Sequence, residues 1–100
     1  MAYRVEFAAG ARDQVRALSG RDRAAILGAV RDQLRHEPCR PTRNRKPLRA
    51  NALAPWVLRV GHLRVYYEAS ELAGPCVTIR AVGIKIRERV LIGGVEIDLS

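Results

Sequence analysis

Four basic side chains in the second half of the chain, Arg59, Arg64, Arg80 and Lys85, stand at spacings that can bring them to one place. Guanidinium groups are planar, permanently charged forks that suit phosphate and carboxylate, and 16 of the 18 basic residues are Arg. In a strand, successive side chains point to opposite faces. Trp56-Val57-Leu58-Arg59-Val60 and Leu63-Arg64-Val65-Tyr66-Tyr67 therefore predict an apolar face of Trp56, Leu58, Val65 and Tyr67, with Arg59, Arg64 and Tyr66 opposite it. Val77-Thr78-Ile79-Arg80-Ala81-Val82 adds Val77, Ile79 and Ala81 to the apolar face and Arg80 to the other. Neighbouring strands lie about 4.8 Å apart, so these residues can converge on one phosphate-sized volume. Arg45 and Lys46, in the run Arg40, Arg43, Arg45, Lys46, Arg49 that contains no acid, form one rim, and Lys85, Arg87 and Arg89 the other. Such a surface calls for a polyanion or a strongly acidic protein as partner.

Other chemistries find less support. Cys39 and Cys76 are far apart, without a CxxC or a His cluster beside them, and read as reduced thiols rather than a zinc site or a disulfide framework. His62 falls in the Gly61-His62 turn and reads as a solvated turn residue. No metal and no cofactor is called for.

The elements that must position the basic residues follow from periodicity. Tyr3, Val5 and Phe7 alternate as a short strand over residues 2–7. Ala8, Ala11, Val15 and Leu18 repeat at helical spacing up to Ser19-Gly20, and Ile26, Val30 and Leu34 mark a second helix ending near Glu37, ahead of Pro38. Pro38, Pro41 and Pro47 make residues 38–50 a loop entering a strand near Leu48. After the meander, Gly93-Gly94 between Val90-Leu91-Ile92 and Val95-Glu96-Ile97 signals a two-residue hairpin. The expected fold is α+β: a two-helix hairpin packed on one face of a small, mainly antiparallel twisted sheet.

At 100 residues the chain makes one domain, residues 1–100. The formal charge is +8, and 48% of the residues are hydrophobic, too many for a disordered tail. No apolar run approaches the roughly 20 residues of a bilayer span. The N-terminus lacks the pattern of a signal peptide, which places the chain in the cytoplasm with no membrane partner.

The stretch Trp56-Val57-Leu58-Arg59-Val60-Gly61-His62-Leu63-Arg64-Val65-Tyr66-Tyr67-Glu68, followed by Val77-Thr78-Ile79-Arg80-Ala81-Val82-Gly83, resembles the core of the RelE/ParE toxin superfamily of bacterial type II toxin-antitoxin systems. The resemblance implies one of two activities. RelE-like members are metal-independent endoribonucleases that cut mRNA on the ribosome, by attack of the ribose 2′-OH on the adjacent phosphate. ParE-like members act on DNA gyrase and lack the catalytic set; a degenerate toxin fold that only binds is the third alternative. On the nuclease reading, Arg64 matches the family Arg after the strand turn, Arg59 is a neighbouring basic position, and Lys85 matches the basic residue after Gly83; these three form the catalytic set. Arg80, Arg87, Arg45, Lys46 and Tyr66 then bind substrate. The chain departs from the nuclease pattern at two places: residues 87–91 contain no Tyr, and Val57 stands where the family carries a basic residue. Tyr66 is on the expected face to substitute. The resemblance also implies an acidic antitoxin as the cognate partner, growth inhibition as the outcome and RNA binding as the means.

Overall fold

Alternating apolar residues from Trp56 onward form the centre of a seven-stranded sheet in the computed structural model, which describes residues 2–97. In chain order the elements are β1 (Arg4–Phe7), α1 (Ala9–Arg16), α2 (Gly20–Gln33), β2 (Arg45–Pro47), β3 (Trp56–Val60), β4 (Leu63–Ser70), β5 (Cys76–Ile86), β6 (Arg89–Ile92) and β7 (Val95–Ile97). Strands β2 to β7 lie side by side in sequence order, each antiparallel to the next. β1 is parallel to β5 and pairs with it from Arg4↔Cys76 to Phe7↔Ile79, while β6 pairs with the later part of β5 from Ile84↔Leu91 to Ile86↔Arg89. The α+β class is as expected, and the Cα radius of gyration is 12.6 Å, near the roughly 13 Å of a compact 100-residue domain. Neither helix is long and apolar enough to cross a membrane.

Local chemistry sets the helix ends. Ser19 caps α2 by accepting a hydrogen bond from the Asp22 backbone N–H at 3.1 Å. α2 closes at Gln33, four residues before the expected stop, and Glu37 adopts a left-handed φ of 49° that takes the chain away. Ala11 and Val15 of α1, Ile26 and Val30 of α2, and Leu34 pack on Leu58, Leu63, Val65, Tyr67, Val77, Ile79 and Val82. Tyr67 is fully buried there, stacked on Trp56 at 6.2 Å between ring centroids, and its hydroxyl donates to the Pro38 carbonyl at 2.6 Å. Burial pushes the Tyr67 phenol far above the usual tyrosine range.

Three expectations change. The strand expected near Leu48 lies earlier, at Arg45–Pro47, and residues 48–55 run as a loop across the sheet. Ala81 was expected on the helix-covered face and Val82 opposite, but Val82 enters the main core and Ala81 faces away. The cause is a shift of register: Tyr66 pairs with Ala81 and Tyr67 with Ile79, so Arg80 is an extra residue in β5 and parity inverts beyond it. The face away from the helices was expected to present Arg59, Arg64, Tyr66 and Arg80. It carries a second apolar cluster of Ala54, Val57, Tyr66, Ala81 and Ile92, backed by Leu48, Leu53, Val90 and Ile97. Gly83 admits this cover, since a Cβ there would stand 2.9 Å from both the Leu91 carbonyl oxygen and Ile92 Cγ1. The expected Gly93-Gly94 turn is present, both residues at positive φ between the Ile92↔Val95 pair.

Candidate functional site

Between the second apolar cluster and the β3–β4 turn, a cleft of about 360 Å³ opens on the sheet. β3 contributes Val57 and Arg59, β4 contributes Arg64 and Tyr66, β5 contributes Lys85, and the β5–β6 hairpin contributes Glu88 and Val90. The parity inversion at Arg80 is what brings Lys85 here, because beyond it Ala81, Gly83 and Lys85 share the face of Arg64 and Tyr66. All three expected catalytic residues, with Tyr66, line this one space.

Arg59 and Arg64 are direct partners across β3 and β4. Like charges so placed repel, and the sheet loses stability by keeping them there. Arg59 is exposed, whereas Arg64 is only 8% exposed and folds against the turn, its Nη1 donating to the carbonyls of Gly61 at 2.7 Å and Leu63 at 2.8 Å. Those two bonds fix the guanidinium plane. Burial first, then the adjacent Arg59 charge, holds Arg64 below the usual arginine range, although a guanidinium remains charged at neutral pH. Among the described residues, none of Arg59, Arg64 and Lys85 forms an ion pair; the acids instead pair Arg4, Arg16, Arg31, Arg40, Arg80, Arg89 and His62.

Tyr66 differs from the exposed strand residue that alternation suggests. It is 2% exposed, and burial raises its phenol above the usual range while the Arg64 charge acts the other way. At neutral pH it is a proton donor, and its hydroxyl has no hydrogen-bond partner among the described residues. The cleft thus holds three cations outside any ion pair among the described residues, a phenol and, at its edge, the Glu88 carboxyl group.

The remaining expected residues fall elsewhere. Arg45 lies outside the cleft lining rather than at its rim: it is 9% exposed and its Nη1 donates to the carbonyls of Gln33 at 2.5 Å and His36 at 3.1 Å, closing the end of α2. Arg80 is apart from the cleft as well, since the bulge carries it to Glu68, 3.1 Å away, beside the loop of residues 48–55. Lys46 is exposed and opposite Val57, on the cleft face but outside its lining. Arg87 is exposed at the hairpin tip with a φ of 56°, a left-handed conformation uncommon outside glycine and asparagine. His62 meets Asp22 Oδ2 at 3.3 Å and ties the β3–β4 turn to α2. Glu88 is the lining residue with ionisable chemistry that strand parity missed, because it sits in a turn; the two-residue gap between Ile86 and Arg89 was its available signal.

No protein-family model matches the chain, and neither a curated protein nor a solved structure matches it.

Proposed function

We propose that this chain is the toxin of a type II toxin-antitoxin pair, working in the bacterial cytoplasm as a RelE-like, metal-independent endoribonuclease on mRNA at the ribosome. The observation that carries the reading is the convergence of Arg59, Arg64, Lys85 and the buried Tyr66 on one cleft, with no ion pair neutralising the cations among the described residues. Cleavage by the 2′-OH builds negative charge on the phosphate and on the departing 5′-oxygen. Arg59 and Arg64 face each other across the strands, and a phosphate between them would take hydrogen bonds from both guanidinium groups. Arg64 is oriented beforehand by its two carbonyl bonds, so little reorganisation accompanies the reaction. Lys85 offers an ammonium to the same charge. Tyr66, kept protonated by burial, supplies the proton to the 5′-oxygen, the role for which residues 87–91 offer no Tyr. The cognate antitoxin on this reading is an acidic protein whose partly disordered segment orders on the basic surface.

The test is induction in a bacterial host with mapping of new mRNA 5′ ends, alongside Arg64→Ala. Growth arrest with codon-phased cuts is expected, with cleavage lowered by about 10²- to 10³-fold in the variant. Arrest with DNA damage and intact mRNA would overturn the nuclease in favour of a gyrase-directed toxin, and absence of arrest would leave a binding module.

A further inference from the structure

The proposed reaction requires a group that accepts the 2′-OH proton, and the side chains assigned so far are all donors. Arg59 and Arg64 have no acceptor, an ammonium at Lys85 has no lone pair, and burial keeps the Tyr66 phenol protonated. Among the cleft-lining residues, the one ionisable side chain that can accept a proton is Glu88. We propose that Glu88 is the general base of this site, an inference that rests on the nuclease reading and completes it.

Two structural facts support the assignment besides its place in the cleft. Glu88 forms no ion pair among the described residues although Arg87 and Arg89 flank it, because Arg89 turns instead to Glu96, 3.9 Å away across β6 and β7. The carboxylate lone pairs are therefore not committed to a neighbouring cation. The backbone also holds it at a cost. Arg87 and Glu88 are the two residues between the Ile86↔Arg89 pair, and Arg87 adopts a φ of 56° that glycine would take without strain. The next hairpin uses Gly93 and Gly94 for the same purpose, so here the chain retains a residue with less backbone freedom beside the carboxylate.

The step balances without any further reactant. Glu88 takes the 2′-OH proton as the bond from O2′ to phosphorus forms. The bond from phosphorus to O5′ breaks, and the 5′-oxygen receives the Tyr66 proton. The products are a 2′,3′-cyclic phosphate and a 5′-hydroxyl end, and proton exchange with water restores Glu88 and Tyr66.

The deciding experiment follows single-turnover cleavage of mRNA bound to programmed ribosomes by the wild-type protein, Glu88→Gln, Glu88→Asp and Arg64→Ala. Binding is measured in parallel on the same mRNA with a 2′-deoxy nucleotide at the cut site. Glu88→Gln is expected to cleave about 10²- to 10⁴-fold more slowly while binding as tightly as wild type or more tightly, since it removes a negative charge from a cleft that holds a polyanion. Glu88→Asp, which keeps the base on a shorter stem, should recover part of the rate. If Glu88→Gln cleaves within about threefold of wild type while Arg64→Ala does not cleave, the base assignment falls and the nuclease reading stands. If wild-type protein leaves the mRNA intact, both fall together.

Discussion

Arg45 and Arg64 show how little the charge of an arginine says about its task. Both are nearly buried, and both donate from Nη1 to two backbone carbonyls. Arg64 does so at the mouth of a cleft beside Arg59. Arg45 does so where the chain leaves α2, satisfying carbonyls that a helix end exposes. Its Nε is buried without a hydrogen-bond partner, which makes it a costly residue to retain for charge alone. Arg45→Ala is accordingly expected to destabilise the fold by about 2–3 kcal/mol, because it strands two carbonyls in a protein interior. Thermal melting should fall by roughly 10–20 °C for a domain of this size. Lys46→Ala, one residue on and exposed, should melt within about 3 °C of wild type. Equal melting of the two variants would show that the Arg45 bonds contribute nothing. In the sequence the two residues are indistinguishable members of one basic run. What separates them is the pairing of Arg45 with Leu58 on the core face and of Lys46 with Val57 on the cleft face, a matter of register that composition does not contain.

At the scale of the element, β5 decides both the cover and the cleft. Alternation in Trp56–Val60 and Leu63–Ser70 was legible because large apolar residues on one face contrast with Arg59 and Arg64 on the other. The stretch Ala81-Val82-Gly83 has no such contrast, so nothing in it announces that Arg80 is an extra residue and that parity inverts. Cover of the face away from the helices was illegible for a related reason, since Leu48, Leu53 and Val90 are scattered through loop and short strand and show no periodicity. Gly83 registers that cover most sharply. Gly83→Ala would press a methyl against the Leu91 carbonyl and Ile92 Cγ1, both 2.9 Å away, and β6 must shift to admit it. A cost of about 1–3 kcal/mol is expected, read from chemical denaturation. Because β6 continues from the tip that carries Glu88, RNA cleavage measured where the variant is fully folded should also fall, whereas Gly20→Ala, whose added methyl would meet nothing within 4 Å, should leave cleavage unchanged. Loss of stability with full cleavage would separate the hairpin from the chemistry.

For the whole molecule, the net charge of +8 resolves into cations with acidic partners and cations without. Arg4, Arg16, Arg31, Arg40, Arg80 and Arg89 each have an acid within ion-pair distance, on exposed surface where such pairs contribute little to stability but do neutralise the local field. Arg59, Arg64 and Lys85 have none among the described residues and share one cleft, so counterions held there are released when a nucleic-acid backbone replaces them. For a single strand each neutralised phosphate contributes about −0.7 to the slope of log affinity against log salt, so three contacts predict a slope of about −2. Arg59→Ala and Arg64→Ala should each flatten the slope by about 0.7 when binding to single-stranded RNA is titrated between 50 and 300 mM salt, conditions set around the physiological range of roughly 150 mM. Arg80→Ala should weaken binding little and leave the slope in place, because Glu68 already holds that charge. A flat response in the wild-type protein would mean that the cleft does not receive a polyanion. A slope lost equally on replacing Arg80 would mean that the charge acts as a diffuse field over the whole surface, and the division into paired and unpaired cations would carry no functional meaning.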